Sequence, residues 1–102
     1  MGRLLVSHKG ADPVVAMIGE FDLSTAEELR ECLASVGPRV VLDMTLTTFI
    51  DSTTLNVLVA ARNAGTAITI AAPPEGVRHV LKLTRFDELF TVRDSDLEPA
   101  PD

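Results

Sequence analysis

The chain has no tryptophan and no tyrosine, and only four phenylalanines. An aromatic core is therefore excluded. The interior must be built from Val, Leu, Ile and Ala, in a chain whose composition is 46% apolar. A single cysteine, Cys32, excludes an internal disulfide and any cysteine-based metal site. No apolar run approaches the ~20 residues that a bilayer-crossing helix needs. The run from Met1 to His8 is too short for a signal peptide, and no small-residue cleavage pattern follows it. A cytoplasmic protein without membrane contact is the expectation. Basic residues are outnumbered, 9 Lys and Arg against 15 Asp and Glu, for a net charge of −6. This argues against nucleic acid as a partner and for a basic protein surface.

Enzyme signatures are missing as well. There is no Gly-x-x-x-x-Gly-Lys loop and no Gly-x-Gly-x-x-Gly run to cradle phosphates. His8 and His79 are far apart, and neither stands in ligand spacing. Ser52 lacks the Gly-x-Ser-x-Gly elbow of a hydrolase. Its neighbour Asp51 is a poor base for a hydroxyl without an intervening histidine. The expectation is a non-catalytic protein without cofactor or metal.

What the sequence does contain is an alternation of strand and helix patterns. Arg3 to His8 and Val14 to Ile18 are two strand-length runs across a Gly/Pro turn, which predicts a hairpin. Ser24 with Glu27 three residues on matches a capping box, and Ala26, Leu29, Leu33 and Val36 then fall on one helical face. Cys32 lies near that face and reads as a small buried hydrophobe. Gly37-Pro38 stops the helix, and Val40 to Leu42 follows as a strand. A polar turn leads to a second helix over Ser52 to Asn63, with Leu55, Leu58, Val59 and the Arg62 stem inward and Asn56 outward. Ala67 to Ala71 is the next strand, and Pro73-Pro74-Glu75 opens a third helix with Val77, Val80, Leu81 and Thr84 on one face. Phe86, Leu89 and Phe90 close the core, and Thr91-Val92 adds a last strand. Strands joined through helices imply parallel pairing, with the first strand as an antiparallel edge. The predicted fold is α/β: a mixed, mostly parallel sheet of about four to five strands with helices on one side. Residues 1–93 form the domain, and 94–102 an acidic, Pro-containing tail that is frayed or partly helical. No large apolar stripe is left over, so a monomer is expected.

The richest stretch is Phe49-Ile50-Asp51-Ser52-Thr53-Thr54-Leu55. It puts a serine at the exit of a turn and the start of a helix, where an anion is favoured. Either Asp51 or Ser52 serves as the helix cap, and capping alone accounts for both residues. Asp22 has an equally plain role as a turn residue before the first helix.

Val41-Leu42-Asp43-Met44 followed by Phe49 to Leu55 resembles the signature of the STAS domain, specifically the bacterial anti-sigma factor antagonists. Gly19-Glu20-Phe21-Asp22 resembles that family's turn before its first helix, and Phe86-Asp87-Glu88-Leu89-Phe90 its closing segment. The resemblance spans about residues 3–93. It implies partner switching: an antagonist binds an anti-sigma factor that is also a serine kinase, is phosphorylated and expelled, and is reset by a PP2C-type phosphatase. Carried onto this chain, Ser52 is the phosphoacceptor. Asp22, Asp51, Thr53, Thr54, Asn56 and the loop from Thr45 to Ile50 form the docking surface. Thr54 departs from the family pattern, which has Gly there, and is expected to add bulk where the partner approaches. The alternatives are an unphosphorylated STAS subunit of a lipid-transport ATPase complex, a stress-signalling scaffold, or a nucleotide-binding module.

Overall fold

The computed structural model describes residues 1–8 and 10–94. β1 (Arg3–Ser7) and β2 (Val14–Phe21) pair antiparallel, with Leu5 opposite Ala16. β3 (Arg39–Asp43), β4 (Thr47–Ile50), β5 (Ala67–Ala71) and β6 (Thr91–Arg93) join in parallel. The order is β1-β2-β3-β5-β6, with β4 paired to β2 beside this path. The expected mixed, mostly parallel sheet is present, with one strand more than the sequence predicts. That strand is β4, in place of the polar turn expected before the second helix. Its buried Thr47 does not look like a core residue, yet its hydroxyl donates to Met17 O at 2.6 Å and so satisfies itself inside.

β2 serves two neighbours. Val14 to Ala16 pair with β3, and Gly19 to Phe21 pair with β4, with a register shift between Gly19 and Glu20. The shift depends on Gly19. Its φ is +96°, and a Cβ there would lie 2.6 Å from the Met1 carbonyl oxygen. The Gly19 N–H donates to Leu46 O at 2.9 Å, tying the start of β4 to the bend.

One face of the sheet carries the core. Val15 and Met17, Val40 and Leu42, and Ile68 and Ile70 alternate inward along β2, β3 and β5. They meet Leu29 and Leu33 of α1 (Ala26–Ser35), Leu55 and Leu58 of α2 (Ser52–Asn63), and Val77 and Leu81 of α3 (Glu75–Leu83). The intervening Val14, Ala16 and Thr69 are only half-buried. Each buried aliphatic side chain contributes roughly 1.5–3 kcal/mol, so this single face holds the helices.

Several local expectations are corrected. The first helix is not capped by Ser24. A 3-10 turn, Leu23–Thr25, precedes α1, and Asp22 caps it. Ser24 donates to the Asp22 carboxylate instead of accepting, and Thr25 supplies the reciprocal half of the box. Glu27 pairs with Arg30 rather than reaching back. In α2, Val57 is buried alongside Leu55 and Leu58 because α1 covers that flank. Arg62 is exposed, and its Nε donates to Leu89 O at 2.7 Å, pinning the closing turn. Thr84 is exposed, with its hydroxyl on Val80 O. Cys32 is half-buried; burial and then the nearby Glu28 raise its thiol above the ordinary range. Asp94 accepts from Arg78 at 2.7 Å, and the rest of the tail expectation lies outside the described residues.

Candidate functional site

β2 and β4 end side by side. Glu20 pairs with Phe49 and Phe21 with Ile50, so the next residues, Asp22 and Asp51, leave the sheet in parallel. Phe21 and Ile50 are buried and anchor both exits. Each aspartate then caps the helical turn that follows it. The Asp22 carboxylate accepts from Ser24 N at 2.9 Å and from the Ser24 hydroxyl at 2.6 Å. Asp51 Oδ1 accepts from Thr54 N at 3.0 Å and from Thr54 Oγ1 at 3.2 Å. Both backbones are extended at the cap, with ψ −161° at Asp22 and −177° at Asp51, as a cap position requires. The Ser24 hydroxyl and N–H hold the Asp22 carboxyl below the ordinary carboxylate range.

Because Asp51 caps α2, Ser52 is released from that task. It is the first helical residue and is exposed, and among the described residues its hydroxyl has no hydrogen-bond partner. Thr53 is half-buried and Asn56 is exposed. Ser52, Asp51, Asp22, Thr53 and Asn56 thus share one end of the molecule, around the start of α2. Thr54 does not share that surface. It is fully buried, and its side chain turns in toward Asp51 rather than out toward a partner. The bulk expected at the approach path is inside the first turn of the helix.

Two exposed apolar residues stand at this end, Leu23 and Phe49, of which only Phe49 falls in the Thr45 to Ile50 segment that the resemblance assigns to docking. Phe49 carries no alternation signal, because β4 buries Thr47 and Ile50 and exposes both Thr48 and Phe49 between them. Leu23 carries no such signal without the 3-10 turn. A hollow of about 260 Å³ between α1 and α2, lined by Arg30, Leu33, Val57, Ala61 and their neighbours, is bordered by none of the site residues.

Chemically, Asp51 Oδ1 is taken up in capping by Thr54, and among the described residues no hydrogen bond joins Asp51 to the Ser52 hydroxyl. What the arrangement offers is an accessible hydroxyl at a helix start, where the N–H groups of the first turn favour negative charge.

Comparison with known proteins agrees with this architecture. A family model described as "Mlab, STAS domain" matches residues 4–93. The crystal structure of an anti-sigma factor antagonist from Mycobacterium paratuberculosis is similar with a TM-score of 0.83 and 25% identity, covering 94% of this chain and 88% of that one. The anti-sigma factor antagonist SpoIIAA in its unphosphorylated form matches with a TM-score of 0.72 and 13% identity, over 88% of this chain and 87% of its own. The Bacillus cell fate determinant SpoIIAA in the phosphorylated form matches at 0.65 and 12% identity, over 88% and 90%. At these low identities the two SpoIIAA structures speak for the fold alone.

Proposed function

The chain belongs to the STAS domain family, and from that premise we propose that it is an anti-sigma factor antagonist switched off by phosphorylation of Ser52. The single observation that carries this reading is the division of labour between Asp51 and Ser52: Asp51 caps α2, and Ser52 stands exposed beside it. The hydroxyl can be modified without dismantling the helix start. The similarity to an anti-sigma factor antagonist over most of both chains supports the same role.

The partner is an anti-sigma factor with serine kinase activity, and a PP2C-type phosphatase restores the free serine. Asp22, Asp51, Thr53 and Asn56 form the docking surface, and Thr54 acts on it only through Asp51. The chain works as a monomer in the cytoplasm, away from nucleic acid and membrane, and carries out no catalysis itself. A phosphate adds about −1.5 to −2 charges near neutral pH. In the free protein the first-turn N–H groups of α2 accommodate it. In a packed interface the same charge is desolvated beside Asp22 and Asp51, at a cost of several kcal/mol unless it is paired. The fold survives and the complex does not.

The alternative is an unmodified STAS subunit of a lipid-transport ATPase complex or a stress-signalling scaffold. Thr54 is on its side, because it differs from the glycine of the antagonist pattern. Incubation with a purified serine-kinase anti-sigma factor and ATP separates the two. Mass spectrometry is expected to find one phosphate on Ser52 in the wild type and none in Ser52→Ala. A chain that binds such a kinase but is never phosphorylated would sink the switch.

A further inference from the structure

Resting on that reading, we infer that Leu23 and Phe49 are the apolar anchors of the docking surface around Ser52, and that they fit a partner protein whose apolar socket is ringed by lysine and arginine. Leu23 is 76% exposed and Phe49 49% exposed. Neither is a loose loop residue. Leu23 is the first residue of the 3-10 turn that Asp22 caps through Ser24 and Thr25. Phe49 is fixed in β4 opposite Glu20. Large apolar side chains held outward in advance cost little further ordering when a partner closes on them.

Register brings the two anchors and the switch to the same end of the sheet. Phe21 pairs with Ile50; Leu23 and Ser52 each follow that pair by two residues on their own chain segments, and Phe49 is one residue before it. Phe49 also walls a hollow of about 210 Å³ with Thr48, Ile50, Gly76 and Val80. A partner side chain can enter this hollow. Ser52, two residues beyond Ile50, is then enclosed with the anchors when the partner closes.

The side-chain charge on the two chain exits is of one sign, with the N-terminal ammonium beside Glu20 and Arg78, His79 and Lys82 of α3 lying outside them. Residues 10–29 and 40–61, which supply both chain exits, contain no Lys, Arg or His. Glu20, Asp22 and Asp51 border the anchors. The complementary surface is an apolar patch with a basic rim. A phosphate on Ser52 would be enclosed with the apolar anchors and crowded against Asp22 and Asp51, where desolvation and like charge oppose it. This explains how a partner that attracts the acidic surface can still be expelled by one more negative group.

The test uses a purified serine-kinase anti-sigma factor, titrated calorimetrically with the full chain. Leu23→Ser is expected to weaken binding about tenfold or more while leaving the melting temperature in place. Gly76→Leu fills the mouth of the hollow. A Cβ at Gly76 meets nothing within 4 Å, so the helix accepts the substitution, and a helix former there raises the melting temperature. Its expected signature is therefore opposite in sign on the two axes: a more stable chain that binds about tenfold more weakly. Wild-type affinity should fall several-fold between about 50 and about 500 mM salt. Full affinity in both variants overturns the anchors, and salt-independent affinity overturns the basic rim. A wild-type chain that binds no such kinase overturns the parent reading and this inference with it. Self-association abolished by Leu23→Ser would assign the surface to a second copy of the chain instead.

Discussion

Asp22 and Asp51 occupy equivalent positions: each is the first residue beyond the register pair of Phe21 and Ile50, and each caps the helical turn that follows. Two adjacent parallel strands therefore end in the same device. The repetition fixes the acidic border of the Ser52 site, because both carboxylates are held by the chain's own N–H and hydroxyl donors.

The Asp51 cap is testable by stability alone. Asp51→Ala removes the acceptor of Thr54 N and is expected to cost about 0.5–2 kcal/mol. Asp51→Asn keeps a capping oxygen and should cost only a fraction of that. For a domain of this size 1 kcal/mol moves the melting temperature by roughly 4–8 °C. Thermal denaturation of the pair should separate by several degrees. Equal melting temperatures would show that the Thr54 contacts do not stabilise α2.

Asp22 makes a prediction about pH. Its folded carboxyl lies below the ordinary value, first because of the Ser24 hydroxyl and then the Ser24 N–H. A carboxyl depressed in the folded state contributes stability above its unfolded pKa. That contribution is lost as pH falls through the folded pKa. The window therefore begins near pH 4 and extends downward. Ser24→Ala removes the largest cause, so its acid limb should be shallower than that of the wild type between about pH 4 and 2.5. Urea denaturation at a series of pH values checks the slope, and parallel acid limbs would contradict the assignment.

These two caps also show where the sequence stops being informative. Ser24-x-x-Glu27 and Asp22-x-x-Thr25 are both acceptable capping patterns, and only the backbone at Asp22 decides between them. β4 escaped notice because a four-residue strand with Thr47 as an inward residue shows too little periodicity. Thr54 and Val57 were missed for a related reason. α2 is covered by both the sheet and α1, so its buried arc is wider than a one-sided stripe. By contrast, the long elements were legible, because Gly37-Pro38, Gly65 and Pro73-Pro74 mark their ends and the aliphatic alternation of β3 and β5 marks the core. The motif around Ser52 was legible as residue types, but which aspartate oxygen meets which donor was not.

Thr54 separates stability from modification. Its hydroxyl and N–H both donate to Asp51, and its side chain is fully buried. Thr54→Val preserves shape and deletes one buried hydrogen bond, for an expected loss of about 1 kcal/mol. Thr54→Gly also loses packing and helix propensity, and should cost about 2 kcal/mol or more. Neither changes what a kinase meets at Ser52 directly, so peptide mapping should find phosphate on Ser52 in both variants and none on Thr54 of the wild type. Phosphate recovered on Thr54 would mean that the first turn of α2 opens to the kinase.

The sharpest separation is between folding and docking at Ser52 itself. Glutamate at this position adds a negative charge to the first turn of α2, which is favourable by about 0.3–1 kcal/mol. Asp51 and Asp22 oppose it by like-charge repulsion of similar size, since all three groups are at a well-solvated end of the molecule. The two contributions nearly cancel, and Ser52→Glu should melt within a few degrees of the wild type. Its binding to a serine-kinase anti-sigma factor should nonetheless fall by about two orders of magnitude, because the buried, unpaired charge costs several kcal/mol at a closed interface. Ser52→Ala should bind as the wild type does. Differential scanning calorimetry and titration calorimetry on the three proteins measure both quantities. A Ser52→Glu chain that loses stability and affinity in proportion would place the effect in the fold, and one that keeps full affinity would remove Ser52 from the interface.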